Sequence, residues 1–146
     1  MPKVVLDTTV LISAFLRPRP GGASYDLLRL ADAGAFEFYL SDEILEETAG
    51  VLLRPGRRRE KYVYTDDQVV EYCHDLGWIA TVVDEAPVVR IVRDPEDDMI
   101  IGCALAARAD YLASRDSDLL SLGSHEGISI VAPEALLQIL RTAAVR

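Results

Sequence analysis

The sequence predicts an α/β fold in which a parallel β-sheet carries helices on both faces. Short apolar, β-branched segments alternate along the chain with longer segments of helical periodicity, and the short segments lack the polar alternation of a half-exposed sheet. This alternation requires right-handed crossover connections, which place helices on both sides of the sheet. Because 146 residues, half of them apolar, can bury one core, residues 1–146 are predicted to form a single domain.

Five strands and six main helices are predicted from these patterns. The strands cover residues 3–6, 36–40, 88–92, 111–114 and 128–131. The helices cover about residues 10–16, 23–31, 44–52, 65–78, 98–108 and 133–140. A hydroxyl of Thr8 or Thr9 is predicted to cap the first helix, and Ser41 the third.

The charge balance restricts the partners of the protein. Lys and Arg total 15 against 24 Asp and Glu, a formal net charge of −9, which argues against simple electrostatic adhesion to nucleic acid or anionic lipid. One dense basic segment stands out, comprising Arg54, Arg57, Arg58, Arg59 and Lys61. We predict that this segment is an exposed loop, either simply solvated or serving as the surface that binds a phosphate-bearing substrate, with help from Arg17 and Arg19.

The cysteines, histidines and hydropathy exclude several other classes of protein. Cys73 and Cys103 lie in apolar segments without metal-ligand spacing, which is typical of core thiols in a reducing compartment. Neither His74 nor His125 has another potential metal ligand at the sequence spacing that is typical of a metal site. No stretch approaches the roughly 18 apolar residues of a membrane span, so a cytoplasmic protein without membrane association is predicted.

Acidic residues follow three of the predicted strands. Asp7 comes directly after the first strand, Asp94 and Asp97 follow the third, and Asp116 lies two residues beyond the fourth. Open parallel sheets bind their ligands beyond the carboxyl ends of the strands. These carboxylates are therefore predicted to converge at one edge of the sheet.

A further carboxylate is predicted from the helix after Ser41. Glu47 borders the apolar stripe of that helix, whereas Glu43 and Glu46 point further from it. Carboxylates about 4 Å apart repel by roughly 4 kcal/mol at an effective dielectric of about 20, so such a cluster needs a cation or protons. All-oxygen ligands favour Mg²⁺ or Mn²⁺, which support hydrolysis of phosphodiesters.

Each of these acids has a structural alternative. Asp94 and Asp97 fit the start of a helix, where acids favour the helix dipole. Glu47 alone is more often a solvated helix residue, and Asp116 is suited to cap a short turn after it. Asp7 is harder to explain structurally because it ends a strand that is buried on both faces. The functional hypothesis depends on all four converging.

Four motifs occur in one order along nearly the whole chain. They are VVLDTTVL at residues 4–11, LSDEILEE at 40–47, RDPED at 93–97 with the apolar residues that follow, and ADYLASRDSDLL at 109–120. Together they resemble the PIN-domain nucleases, and in particular the toxin ribonucleases of toxin–antitoxin pairs.

The resemblance implies a PIN-like three-layer α/β/α fold with four to five parallel strands in the order 3-2-1-4-5. It implies that Asp7, Glu47, Asp97 and Asp116 form an acidic quartet that is both catalytic and metal-binding, with Mg²⁺ or Mn²⁺ as the cofactor. It further implies a metal-dependent endoribonuclease whose partners are RNA, a cognate antitoxin protein and a second copy of the chain.

Two supporting positions follow from the same resemblance. Ser114 stands where a small hydroxyl residue commonly supports the acids, and Thr9 stands where the family usually has Asn. Threonine keeps a hydroxyl but lacks the amide, so a catalytically weakened RNA-binding or regulatory scaffold remains an alternative. A phosphatase that uses Asp7 as a nucleophile is a weaker alternative, because such enzymes have a second Asp at the position of Thr9.

Overall fold

A six-stranded, mostly parallel sheet flanked by helices forms the centre of the computed structural model, which describes residues 1–84, 90 and 94–144. The strands are β1 (Lys3–Leu6), β2 (Glu37–Ser41), β3 (Thr81–Val83), β4 (Tyr111–Ala113), β5 (Ser124–His125) and β6 (Ile128–Val131). The helices are α1 (Thr8–Leu16), α2 (Ala23–Asp32), α3 (Asp42–Leu53), α4 (Arg57–Lys61), α5 (Asp66–Ile79), α6 (Pro95–Ala107), α7 (Ser117–Leu122) and α8 (Pro133–Ala144).

The strand order is β3-β2-β1-β4-β6-β5, and every neighbouring pair is parallel except β6 and β5. The predicted α/β class and the order 3-2-1-4 are confirmed, and the predicted fifth strand is β6. The expected number of strands was too low because β5 is a two-residue strand, too short for a periodic pattern. It reaches β6 through Glu126 and Gly127, whose φ angles of 46° and 83° suit a tight hairpin turn.

The edge strand beside β2 was not predicted from the sequence. β3 follows α5 directly and pairs in parallel with β2, matching Leu40 with Val82. Its three residues are too few to show a strand pattern among helical neighbours. The strand predicted at residues 88–92 lies outside the described residues, apart from Arg90.

Short polar signals set where the helices begin. The Ser41 hydroxyl accepts the backbone N–H of Ile44 at 3.2 Å, which confirms the predicted cap of α3. The predicted cap of α1 was wrong: Asp7, rather than Thr8 or Thr9, is the N-cap residue. The helix begins as soon as β1 ends, so the strand-ending carboxylate itself meets the first free N–H groups of the helix.

The basic segment also differs from the prediction. Residues 57–61 form the short helix α4 instead of an exposed loop. Gly56 precedes this helix with a φ of 141°, a conformation that side chains rarely tolerate. The Arg59 guanidinium then donates to the carbonyl of Tyr64 at 2.9 Å, which links the helix to the segment after it.

Helix α6 and strand β1 form the centre of the core. Val4, Val5 and Leu6 have no exposed surface, and α6 packs against β1, β2, β3 and β4. Cys103 on α6 is buried, and burial raises the pKa of its thiol to about 12, whereas Cys73 is half-buried. Among the residues described, no helix is both long enough and apolar enough to span a bilayer.

Candidate active site

Asp7 lies at the carboxyl end of β1 and is almost fully buried, with 2% of its surface exposed. Its Oδ1 accepts the hydroxyl of Thr9 at 2.5 Å and the backbone N–H of Val10 at 3.2 Å, and its Oδ2 accepts the hydroxyl of Ser114 at 2.5 Å. Burial raises the pKa of Asp7 above its ordinary value, although these hydrogen bonds oppose the shift. The carboxylate is therefore held in one orientation at the edge of the sheet.

Asp97 lies in the first turn of α6, beside two other carboxyl groups. Asp94 caps this helix, so the Asp97 side chain points from the third helical position and is largely buried, with 9% of the residue exposed. Burial raises the pKa of Asp97 to about 7, helped by a hydrogen bond and like charge from Asp116 and by the charges of Asp94 and Asp7. Asp97 thus interacts with acids from β1 and from the segment after β4.

Asp118 lies beside Asp116 in the acidic cluster and was not predicted from the sequence as a site residue. Asp116 caps α7 by accepting the backbone N–H of Asp118 at 3.0 Å, so its structural role and its position in the cluster coexist. Asp97, Asp116 and Asp118 each offer a carboxylate oxygen within 4.8 Å of the others. The spacing of Asp118 two residues after Asp116, just past a strand, was the signal that could have identified it.

Glu47 approaches the same cluster from α3. It is half-buried, and its pKa is raised by burial, by a hydrogen bond and like charge from Glu96, and by the charge of Asp94, whereas Arg54 opposes the shift. Glu47 therefore faces the first turn of α6. Asp97 interacts with both Asp7 and Asp116, and Glu47 is linked to Asp97 through Asp94, whose charge acts on both.

Two hydroxyl groups connect Asp7 to the segment after β4. The fully buried Ser114 donates to Asp7 and accepts the backbone N–H of Asp116 at 2.9 Å. Thr9 likewise donates to Asp7 and accepts the backbone N–H of Arg115 at 3.0 Å. Both residues predicted to support the acids thus contact Asp7 directly and tie it to the segment that positions Asp116.

The donor chemistry of this cluster fits a hard divalent cation. The close group consists of carboxylate oxygens, without histidine or cysteine, and this is the donor set that Mg²⁺ and Mn²⁺ prefer. Burial raises the pKa of Asp97, and the like charges of Asp116, Asp94 and Asp7 raise it further, so a bound cation would relieve this repulsion. Beside Asp7, the buried Thr8 hydroxyl has no hydrogen-bond partner within the part of the chain described.

Two of the five basic residues predicted to bind RNA make well-defined contacts within the protein. Arg59 pairs with Asp66 at 2.5 Å and lies 4.8 Å from the centre of the Tyr64 ring. Arg58 donates to the carbonyl oxygen of Val51 at 3.3 Å. Their guanidinium groups hold α4 against the helices on either side of it, which reduces their freedom to bind phosphate.

The other three residues of the basic segment have different surroundings. Lys61 lies 5.3 Å from the centre of the Tyr62 ring, and the charge of Arg54 acts on Glu47. Arg57 is exposed on α4. A role for the whole segment in RNA binding stays a prediction.

Comparison with known proteins covers the chain from β1 to the start of α7. A family model described as a PIN domain matches residues 3–118. An uncharacterized protein of Methanocaldococcus jannaschii is 28% identical to this chain over 120 residues, which cover 82% of this chain and 74% of that protein. The segment that matches the family model contains every carboxylate of the cluster, from Asp7 to Asp118.

Proposed function

The chain belongs to the PIN-domain family, and on that basis we propose that it is a metal-dependent ribonuclease that hydrolyses RNA phosphodiester bonds. The PIN domain is a nuclease-type fold. We assign the reaction to Asp7, Glu47, Asp97 and Asp116 at the carboxyl edge of the sheet. The observation that carries the proposal is the position of Asp97, whose buried carboxyl group interacts with acids from two other segments of the chain.

The residues of the cluster have distinct roles in this proposal. Asp97, Asp116 and Asp118 would hold the metal ion, since their oxygens lie close together. When bound, a divalent ion supplies activation of a water molecule and neutralises charge at the phosphate. Asp7 is kept in register with the other acids by Thr9 and Ser114, and such fixed orientation is what a site needs to act on a substrate without rearranging.

The proposal extends to the biological setting implied by the resemblance. We propose that the enzyme is the toxin of a toxin–antitoxin pair, that a cognate antitoxin protein inhibits it, and that it forms a homodimer. Light scattering of the purified chain at several concentrations tests the dimer. A neighbouring gene that encodes a small DNA-binding protein would support the antitoxin proposal if that protein co-purifies with the chain and blocks cleavage.

A cleavage assay tests the enzymatic proposal. The purified chain is incubated with a structured RNA and Mg²⁺ or Mn²⁺, beside the variant Asp7→Asn. Asparagine keeps a carbonyl oxygen that can accept the Val10 N–H, so the helix cap is preserved while the charge is removed. We expect cleavage that EDTA blocks and that the variant lacks. RNA binding without cleavage would favour the scaffold instead, and phosphorylation of Asp7 the phosphatase.

The Thr9 hydroxyl is expected to matter for both activity and stability. Thr9→Val preserves the shape of the side chain but removes the hydrogen bonds to Asp7 and Arg115. We expect the free energy of unfolding to fall by about 1 kcal/mol. We also expect about a tenfold lower cleavage rate, because a misplaced Asp7 that raises the activation free energy by roughly 1.4 kcal/mol has that effect. Thr9→Asn is expected to retain activity.

The matched control for this prediction is Thr142→Val, on the exposed end of α8. Urea unfolding measures the stability of each variant, and the initial rate of RNA cleavage measures activity. A Thr9→Val protein that cleaves as fast as the wild type would show that the hydroxyl does not orient Asp7.

A further inference from the structure

An aromatic cavity lies between α1, α2 and the segment after α4. Its volume is about 430 Å³, and its aromatic lining consists of Phe15, Tyr25, Tyr62, Tyr64 and Tyr72. Phe15 packs against Tyr64 and Tyr72 with ring centres 5.1 and 4.9 Å apart, so these three rings support one another. All five rings are half-exposed, and Tyr25 and Tyr62 also line the two neighbouring cavities that contain arginines. They are the rings best placed to meet a ligand.

An arginine-lined cavity lies near the first turn of α2. It has a volume of about 300 Å³ and is lined by Arg17, Arg19 and Arg115, together with Glu134, Tyr25 and small residues. Glu134 pairs with Arg115 at 2.9 Å, which offsets one of the three positive charges. Positive charge therefore remains in excess here, although the protein as a whole carries −9.

The two cavities are linked by a third that shares lining residues with both. A third cavity of about 370 Å³ lies between them and is lined by Arg17, Arg19, Tyr62 and two apolar residues. Arg17 donates from Nε to the Tyr62 hydroxyl at 3.2 Å, which joins the aromatic and basic linings. We call this surface the Tyr–Arg groove, defined by Arg17, Arg19, Tyr25, Tyr62 and Arg115.

The basic end of the Tyr–Arg groove adjoins the acidic cluster. Arg115 directly precedes Asp116, and its backbone N–H donates to the Thr9 hydroxyl, which in turn donates to Asp7. The Arg115 side chain is anchored by Ser24 at 3.1 Å as well as by Glu134. A polymer lying along the groove would therefore reach the carboxylates from its basic end.

We propose that the Tyr–Arg groove binds an unpaired segment of the RNA, with phosphates at Arg17, Arg19 and Arg115 and bases stacked on Tyr25 and Tyr62. The proposal rests on the proposed ribonuclease function and adds the form of its substrate. Exposed rings beside cations are how proteins hold single strands, whereas the bases of a duplex are already stacked on each other. The basic end of the groove also lies beside the acidic cluster, because Arg115 directly precedes Asp116 and its backbone N–H donates to the Thr9 hydroxyl that contacts Asp7.

Binding without metal tests the groove independently of cleavage. The full chain in EDTA is titrated into a fluorescent oligouridylate of about 12 nucleotides, and into an RNA duplex of about the same length. We expect the single strand to bind at least about tenfold more tightly than the duplex. The double variant Arg17→Gln, Arg19→Gln should weaken strand binding about tenfold or more and flatten the plot of log affinity against log salt by about 1.4.

The tyrosine prediction separates stacking from charge. Tyr62→Ala should lower strand affinity by about fivefold to a hundredfold with an unchanged salt slope, whereas Tyr62→Phe keeps the ring and should keep most of the affinity. The control is Arg108→Asn, which should change nothing. Arg108 is exposed at the opposite edge of the sheet, beside the start of β1, and its φ of 53° suits asparagine.

Several results would overturn the groove. These are equal binding of duplex and strand, unchanged affinity in the Arg17 and Tyr62 variants, or a loss confined to Arg57→Gln on α4. Arginine-dependent binding of a synthetic acidic, leucine-rich peptide without strand binding would make the groove a protein-docking site instead. If the groove variants cleave RNA with an unaltered KM, the groove proposal is overturned and the ribonuclease proposal stands. If the chain binds the single strand in an arginine-dependent way but does not cleave it, the ribonuclease proposal is overturned and the groove proposal stands.

Discussion

Asp97→Asn is expected to lower RNA cleavage at least about a thousandfold while raising the melting temperature of the metal-free protein. Cleavage falls because the variant loses a carboxylate that interacts with both Asp7 and Asp116, and removal of a group central to charge stabilisation costs about that factor or more. Stability rises because the ionised Asp97 is buried and held among like charges in the folded state, whereas it is solvated in the unfolded chain.

The sign of the stability change follows from the pKa of Asp97. Its folded-state pKa is about 7, above the unfolded value of 3.8, so folding favours the protonated form. Ionisation between these two values destabilises the fold, and asparagine cannot ionise. We expect a gain of roughly 1 kcal/mol at pH 7.5, or about 3 °C for a domain of this size, after allowing for the lost interaction with the helix terminus.

The matched control is Asp67→Asn, in the exposed first turn of α5. This variant loses a comparable interaction with a helix terminus outside the acidic cluster, so its melting temperature should fall slightly. Calorimetry in EDTA measures both melting temperatures, and single-turnover cleavage measures activity. A large loss of stability in Asp97→Asn would show that Asp97 serves mainly to stabilise the start of α6.

Divalent ions are expected to reverse the pH dependence of stability. In EDTA, stability should fall as the pH rises from about 4 to about 7, because the raised pKa values of Asp7, Glu47 and Asp97 all make the folded state bind more protons than the unfolded state. With Mn²⁺ at about a hundred times its dissociation constant, the folded state should gain about 2.7 kcal/mol at pH 7.5. Asp97→Asn should show a much smaller gain.

Thermal unfolding at pH 5 and pH 7.5, with EDTA or Mn²⁺, provides the measurement. Sodium chloride at matched ionic strength is the control for simple screening of the acidic residues. An equal effect of Mn²⁺ and sodium chloride, or an equal Mn²⁺ effect in wild type and in Asp97→Asn, would contradict a metal centre at this cluster.

Local sequence signals predicted most of the elements that carry the site. The apolar run before Asp7, the Ser41 cap and the apolar helix after Asp94 each depend on residues a few positions apart, so a pattern in the chain suffices to detect them. The short elements escaped this reasoning. β3, β5 and α4 contain three, two and five residues, and their neighbours in space hold them in place.

The sequence alone determined the α/β class and the arrival of acidic residues at strand ends, because apolar periodicity and crossover handedness act on every segment in the same way. The strand order followed from the family resemblance, and the residues of the edge strand β3 were seen only in the structure. Tertiary structure alone decided which groups meet. It paired Glu47 with Glu96, added Asp118 beside Asp97, and joined Arg17, Tyr62 and Arg115 into one groove. These contacts depend on how whole helices pack across the sheet, and no local pattern encodes the distance between side chains that lie far apart along the chain.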